Sequence, residues 1–453
     1  MLRRSLLLSL KLIMLASVLS ACGGTGRADD EERDSYRKVT LSLRHTQIKE
    51  TNRTRLRILE DVLAKTESEN DWITFKLEGI DEIVNRDTKL KQEMVVGNPP
   101  DIFEVFGGAD LQLYVKAGRM LDLTDILQEL DLVDKFESLE EFIIDGRIYG
   151  IPHGGYSEGI FYNKLIFKKL GLDIPRTWDE LLDAAEQLKA AGYTPFGLTA
   201  KDAWVAGMIW NVIMERHVGI EAFYGLVTGE TKWTDPAFIR GFQAYAELIE
   251  REAFTKEALS LTYADQGTQL AYGKAAMVYT GSWDAHYFAT SHSHVTREGI
   301  GFFLFPSIPG GEGDQHSINA SFSNGVGFSS QLSEDQIEAV KLFIANYFTE
   351  DIQKWALQEG KLLPSFKLED MSGVTPLMNE ILTEMSEASG KWPAYDAIVQ
   401  PVVGAQIGVG LQELIGGVSS PEEVARDIQK VQDRANAAMK QFTLESGPSP
   451  DKE

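Results

Sequence analysis

The sequence predicts an α/β fold, a mostly parallel sheet flanked by helices, with enough chain for two cores. The first observation is an alternation of strand-like and helix-like patterns near the start of the body. Val39-Thr40-Leu41-Ser42-Leu43 and Trp72-Ile73-Thr74-Phe75-Lys76-Leu77 follow period two, and between them Leu56, Leu59 and Leu63 share one helical face. Asp101-Ile102-Phe103-Glu104-Val105 forms a third short strand. This β-α-β-α-β order marks parallel strands, because a parallel connection must cross over its sheet. The second observation is a set of well-marked helix starts. The third is length: 453 residues exceed one core at about 100–200 residues per domain.

The helix starts use side chains that satisfy the free N–H groups of a first turn. Thr177-Trp178-Asp179-Glu180 has the capping-box pattern, followed by Leu181, Leu182, Ala185 and Leu188 and stopped by Gly192. Ser333-Glu334-Asp335-Gln336 repeats it ahead of Ile337, Val340, Phe343, Ile344 and Tyr347. Ser420-Pro421-Glu422-Glu423 adds proline at the first helical position, and Val424, Ile428, Val431, Ala435, Ala438 and Phe442 follow as a long stripe. Such stripes pack cores and do not mark cofactor sites.

The ends have a different character. Arg3, Arg4 and Lys11 precede an apolar run at 12–19 that ends in Leu19-Ser20-Ala21-Cys22. The run is far shorter than the ~20 residues that span a bilayer and fits the core of a secretory signal. The layout resembles a bacterial lipoprotein signal, with 1–21 removed and Cys22 lipidated. Residues 22–37 then read as a flexible polar tether and 446–453 as a disordered tail. Cys22 is the only cysteine, so the body is expected to hold neither a disulfide nor a thiolate zinc site. The chain carries 44 Lys and Arg against 68 Asp and Glu, a net charge of −24 that repels nucleic acid and anionic headgroups at long range.

Four stretches carry a resemblance. The first is Gly97-Asn98-Pro99-Pro100-Asp101-Ile102 with the segment 114–123. The second is Asp145-Gly146-Arg147-Ile148-Tyr149-Gly150-Ile151-Pro152, continued by Phe161-Tyr162-Asn163-Lys164 and by Pro175-Arg176-Thr177-Trp178-Asp179-Glu180-Leu181. The third is Gly273-Lys274-Ala275-Ala276-Met277-Val278-Tyr279, leading to Gly281-Ser282-Trp283. The fourth is Phe303-Leu304-Phe305-Pro306-Ser307, with Gly325-Val326-Gly327 beyond. In order and spacing the set resembles the bacterial extracellular solute-binding proteins of family 1. These are the sugar-binding lipoproteins of ABC importers, similar to maltose- and multiple-sugar-binding proteins.

The resemblance implies a two-lobed, type II periplasmic-binding-protein-like fold with a ligand cleft between the lobes. Mapped here, lobe 1 comprises 38–151 plus 318–360 and lobe 2 comprises 152–317 plus 361–445. The crossings fall near Ile151-Pro152, 315–322 and 360–364. It also implies a carbohydrate ligand, mono- or oligosaccharide, and ABC permease subunits as partners. The chain is then a lipid-anchored monomer on the extracytoplasmic face that does no chemistry and needs no cofactor.

Sugars present hydroxyl rims and apolar C–H faces, so their sites combine aromatic rings with carboxylates, amides or imidazoles. In open α/β sheets such groups follow the C-terminal ends of strands. Trp283 and Asp284 follow the strand 276–280 as a stacking ring beside a hydroxyl acceptor, or the indole caps the core. His45 and Gln47 follow the first strand, where the resemblance places a ligand loop. Phe106 ends the third strand, at the cleft rim or in the core. The resemblance also puts Tyr156 just beyond the first crossing. Trp204 opens a helix and can wall the cleft. Asn319, with Ser321 and Asn324, lies at the second crossing as amide donor or turn former. Trp392 and Tyr395 complete the candidates.

Other signals point elsewhere only weakly. His292-Ser293-His294 lacks accompanying carboxylates for a metal, and Gly310-Gly311-Glu312-Gly313-Asp314 lacks the Lys-Ser/Thr of a phosphate loop. No G-x-S-x-G elbow of a serine hydrolase is read in the chain. A membrane-tethered glycoside hydrolase, with two carboxylates about 5–9.5 Å apart, remains open at this level. So does the same fold holding a peptide, polyamine or metal.

Overall fold

The strands, in chain order, are β1 (Val39–His45), β2 (Ile73–Gly79), β3 (Ile102–Phe106), β4 (Ile143–Ile144), β5 (Arg147–Ile148), β6 (Ile151–Pro152) and β7 (Gly154–Asn163). They continue with β8 (Thr194–Phe196), β9 (Ala275–Gly281), β10 (Ile300–Phe303), β11 (Ile318–Ser321), β12 (Asn324–Phe328), β13 (Leu363–Pro364) and β14 (Lys391–Trp392). The structure, a computed structural model, describes residues 37–49, 52–290, 299–359 and 362–446. The leader 1–21, Cys22, all of the tether but its last residue, the His292-Ser293-His294 pair, Gly360 and the tail beyond Ser446 lie outside the described residues.

Two main sheets result. The first runs β2-β1-β3-β12-β6 and the second β14-β11-β7-β9-β8, with β10 and β13 also paired to β7. β1 is parallel to β2 and β3, as the alternating pattern predicts, with Leu43 paired to both Leu77 and Ile102. β12 enters antiparallel to β3, and β7 is antiparallel to β9, β10, β11 and β13. Both sheets are therefore mixed. The antiparallel members are the strands next to the points where the chain passes between sheets.

Those passages are short. β6 belongs to the first sheet and β7 to the second, so only His153 separates them. Pro152 holds Ile151 extended, which suits a crossing strand. β11 lies in the second sheet and β12 in the first, so that crossing falls at Phe322 and Ser323, after residue 318. The crossing segments touch. A Cβ on Gly154 would lie 2.5 Å from the carbonyl oxygen of Leu363, and one on Gly155 would lie 2.5 Å from the Phe322 ring. Glycine is required there for close approach.

Each sheet has its own core. Leu41, Leu43, Ile73, Ile102, Phe328 and Phe343 pack the first. Along β7 the side chains alternate: Ile160 and Tyr162 join Trp210, Trp233 and Phe242 on one face, while Phe161 joins Phe288 and Phe302 on the other. A strand covered on both faces has no polar side, so β7 reads as a nearly unbroken apolar run after Gly159.

The predicted caps form. Thr177 starts the helix Trp178–Ala190 and accepts from the Glu180 N–H. Ser333 and Gln336 make a reciprocal box ahead of the helix Glu334–Tyr347, whose Val340, Phe343 and Ile344 enter the first core. Ser420 accepts from the Glu423 N–H at 3.3 Å while the Glu423 carboxylate accepts from the Ser420 N–H at 2.9 Å. Ser333→Ala is expected to destabilise the protein by about 0.5–2 kcal/mol. The denaturation midpoint should fall with an unchanged slope; an unchanged midpoint would show that tertiary packing alone holds that helix.

Candidate functional site

β1, β2 and β3 run parallel and end at His45, Gly79 and Phe106. In the second sheet, β9 ends at Gly281 and β11 at Ser321. The candidate residues gather near these ends.

An aromatic wall lines the second sheet's edge. The Trp283 indole lies over Gly281, where a Cβ would meet ring carbons at 2.3 Å. The Tyr156 ring stands edge-on to it with centroids 5.3 Å apart. Asp284 accepts hydrogen bonds from the hydroxyls of Tyr263 at 2.7 Å and Thr280 at 2.8 Å. Burial pushes its carboxyl pKa up to about 6 against those two bonds. The Tyr263 ring in turn tilts against Trp204, centroids 4.8 Å apart, at the start of the helix Ala203–Val218. Trp283, Trp204 and Tyr263 are only partly buried and rest on the second sheet's core. Tyr263 was not foreseen; nothing in its local sequence sets it apart.

At the first sheet's edge the polar cluster is braced from within. The Glu104 carboxylate accepts from the Thr46 N–H at 3.0 Å and from the Gln47 amide at 2.7 Å. Burial opposes its charge, but His153, Arg55 and the hydrogen bonds from Thr46 and Gln47 together hold its pKa below the ordinary value. His45 accepts the Gln47 N–H on Nδ1 at 3.1 Å, and burial lowers its pKa. His45 and Gln47 are thus buried groups rather than free loop residues.

Phe106 is half-buried, with the Arg86 guanidinium 4.2 Å above its ring. Arg86 also pairs with Asp110 at 3.3 Å and with Asp396 at 2.8 Å. Asp396 lies in the helix Tyr395–Ile398, whose Tyr395 and Ile398 belong to the second sheet's core. The bridge therefore joins the segment between β2 and β3 of the first sheet to the second sheet's core. Beside it, a Cβ on Gly108 would lie 2.4 Å from the carbonyl oxygen of Ala397. Sequence reading missed Arg86, because its partner Asp396 is 310 residues away.

Two candidates are fully enclosed. Trp392 is 3 % exposed, packs in the second sheet's core and donates its indole N–H to Ser317 Oγ at 3.0 Å. It is a core residue and not part of the wall. Asn319 is buried beside it in register.

Glu158 and Glu141 were also missed. Burial and the nearby Asp396 push the Glu158 pKa up to about 8. Burial, with Asp396 and Glu140 nearby, pushes Glu141 to about 7 despite hydrogen bonds from Ser321 and Phe322. A carboxyl with a raised folded pKa contributes stability fully below its unfolded value and loses it as pH rises through the folded one. His45, His153 and His217 are all lowered by burial, so their linkage ends near the unfolded value of about 6.5. The unliganded protein is therefore expected to lose stability from about pH 7 to 8.5. Glu158→Gln should flatten that slope in denaturant melts; an unchanged slope would assign it elsewhere.

One expectation needs correction. The spacing G-x-S-x-G does occur, as Gly155-Tyr156-Ser157-Glu158-Gly159. However, it lies inside β7 and not at a strand-to-helix turn, and Ser157 is fully buried. It cannot present a nucleophile. Among the described residues, no group of three or more His, Cys, Asp or Glu side chains is placed to hold a metal ion.

The sequence profile described as "Bacterial extracellular solute-binding protein" matches residues 54–354. The chain belongs to that family. Membership implies an extracytoplasmic location, and no described helix is long and apolar enough to cross a membrane. A solved chitin oligosaccharide binding protein is 42% identical, with a TM-score of 0.85, covering 88% of this chain and 99% of that one. A solved maltose-bound protein of T. maritima shares the fold at a TM-score of 0.71 and 18% identity, covering 87% of this chain and 99% of that one. These neighbours establish the type II binding-protein architecture. The multiple sugar-binding protein of Streptococcus mutans is 31% identical over 43% of this chain and 44% of its own length. An uncharacterised ABC transporter extracellular-binding protein of Pyrococcus horikoshii is 30% identical over 45% and 47%. The chain thus spans about half the length of these curated relatives.

Proposed function

We propose that this chain is the substrate-binding protein of an ABC importer and captures an oligosaccharide of the chitin type between its two bodies. The observation that carries this is the wall of Tyr156, Trp283, Tyr263 and Trp204 beside the Asp284 carboxyl and the buried Glu158 carboxyl. Rings match sugar faces and carboxyls match hydroxyl rims. The 42% identical neighbour is itself named for chitin oligosaccharide.

The bodies built on the two sheets act as lobes, hinged at His153 and at Phe322 and Ser323. Ligand favours the closed arrangement by touching both, and the closed form docks on permease subunits. The chain performs no catalysis; ATP is hydrolysed by a separate subunit. Cys22 carries lipid, residues 22–37 give reach, and the receptor works as a monomer.

Isothermal titration against chitin oligosaccharides, cellobiose, maltose and xylobiose tests the ligand class. Binding of N-acetylated oligosaccharides supports it; binding only of a non-sugar solute overturns it, and turnover of a sugar would make the protein a hydrolase. Mass spectrometry of the mature N-terminus tests the anchor, which an unmodified Cys22 would overturn.

A further inference from the structure

Glu158 and Asn319 are neighbours across two strands. Ser157 pairs with Ala320 and Tyr156 with Ser321, so the next step of the same antiparallel register sets Glu158 opposite Asn319. Directly opposite residues share a face, here the face of Tyr156 and Ser321. On its other side Glu158 pairs with Gly281 of β9, the glycine that the Trp283 indole covers. An acid and an amide therefore sit side by side next to the ring most suited to stack on a sugar.

Both are nearly inaccessible, Glu158 at 6 % and Asn319 at 1 % exposure. Yet Glu158 Oε2 and both amide atoms of Asn319, Oδ1 and Nδ2, have no hydrogen-bond partner among the described residues. Buried polar atoms almost always find partners, because an unmade hydrogen bond carries the full desolvation cost. Of these three, the Glu158 oxygen and the Asn319 nitrogen are an acceptor and a donor in adjacent cross-strand positions, and a single group that offers both a donor and an acceptor satisfies the two together. Trp392, next to Asn319 in register, does not, since its indole N–H is given to Ser317.

We propose that Glu158 and Asn319 form a polar pair that reads the acetamido group of an N-acetylated sugar stacked on Trp283. The inference rests on the sugar-binding reading above and names the group recognised. An acetamido substituent offers an N–H donor and a C=O acceptor a short distance apart. The Glu158 carboxyl accepts the N–H, the Asn319 amide donates to the carbonyl, and the methyl faces the apolar ring. A hydroxyl at the same position lacks the second, displaced acceptor and leaves one of the pair unsatisfied, which is the strongest kind of discrimination a buried polar site achieves.

The experiment titrates wild type, Glu158→Met and Asn319→Leu with N,N′-diacetylchitobiose and with cellobiose. Both substitutions keep the approximate size and remove the polar atoms. Wild type is expected to prefer the acetylated disaccharide, and each variant to lose about tenfold or more of its affinity for it. The melting temperature of each unliganded variant is expected to hold or rise, because an unpaired buried group has been removed; a merely structural role would lower it. Where an apolar variant does not fold, Asn319→Asp, which keeps the shape and removes the donating amide, is read in its place and is expected to lose the same affinity. Wild-type affinity in the folded variants, or equal wild-type affinity for the two disaccharides, overturns the inference. Failure of wild type to bind any saccharide overturns the sugar-binding reading instead.

Discussion

Gly108→Val is expected to weaken oligosaccharide binding by at least about 100-fold. Gly108 follows β3 on the first body, and its φ of +73° is one that L side chains rarely adopt. A Cβ there would lie 2.4 Å from the Ala397 carbonyl oxygen, 3.1 Å from its carbon and 3.2 Å from its Cα. These are backbone atoms of a helix anchored in the second core by Tyr395 and Ile398, so no side chain can turn aside. The Arg86–Asp396 bridge at 2.8 Å holds the bodies together at the same place. Valine therefore forces the bodies apart there. A penalty of about 3 kcal/mol confined to the closed arrangement lowers apparent affinity by roughly that factor, because only the competent fraction binds. The backbone strain itself acts in both arrangements and lowers the melting temperature without affecting affinity. Titration gives the first effect, and solution scattering with ligand should show a larger radius than wild type. Full affinity with wild-type scattering would show that this contact is not part of the closed state.

The parts of this architecture that are local were legible in the sequence. Period-two runs found β1 and β2, β3 was read as a short strand beside them, and the capping residues found the helices at 178, 334 and 421. The aromatic candidates Trp283, Tyr156 and Trp204 also came together, because each stands at the end or start of a recognisable element. What escaped depends on contacts between distant segments. Trp392 belongs to a two-residue strand whose burial is decided by Ser317 and the second core. The passage after β11, at Phe322 and Ser323, falls at the end of the expected stretch 315–322, but that 318–321 still belongs to the second sheet depends on β11 pairing with β7, which no local pattern announces. Arg86 meets Asp396 only once both bodies are folded. Glu158 was within reach: it lies two residues beyond Tyr156 on one strand, and period two puts both on one face.

Trp283→Ala is expected to cost on the order of 1–3 kcal/mol of binding free energy, about 5- to 150-fold in affinity. The indole is partly exposed, lies flat over Gly281 and is held edge-on by Tyr156, so it presents a fixed platform at little cost in conformational entropy. Truncation removes the stacking face and also frees the Tyr156 ring to move. Two further variants separate these effects. Trp283→Tyr keeps a ring and should retain much of the affinity. Gly281→Ala leaves the indole intact but places a methyl 2.3 Å from its present ring position, so the platform must move. If stacking needs the ring where it is, Gly281→Ala loses affinity nearly as far as Trp283→Ala. If only the buried apolar area matters, Gly281→Ala binds like wild type. Unchanged affinity in Trp283→Ala itself would make the indole a cap on the core, and the wall would then reduce to Tyr156, Tyr263 and Trp204.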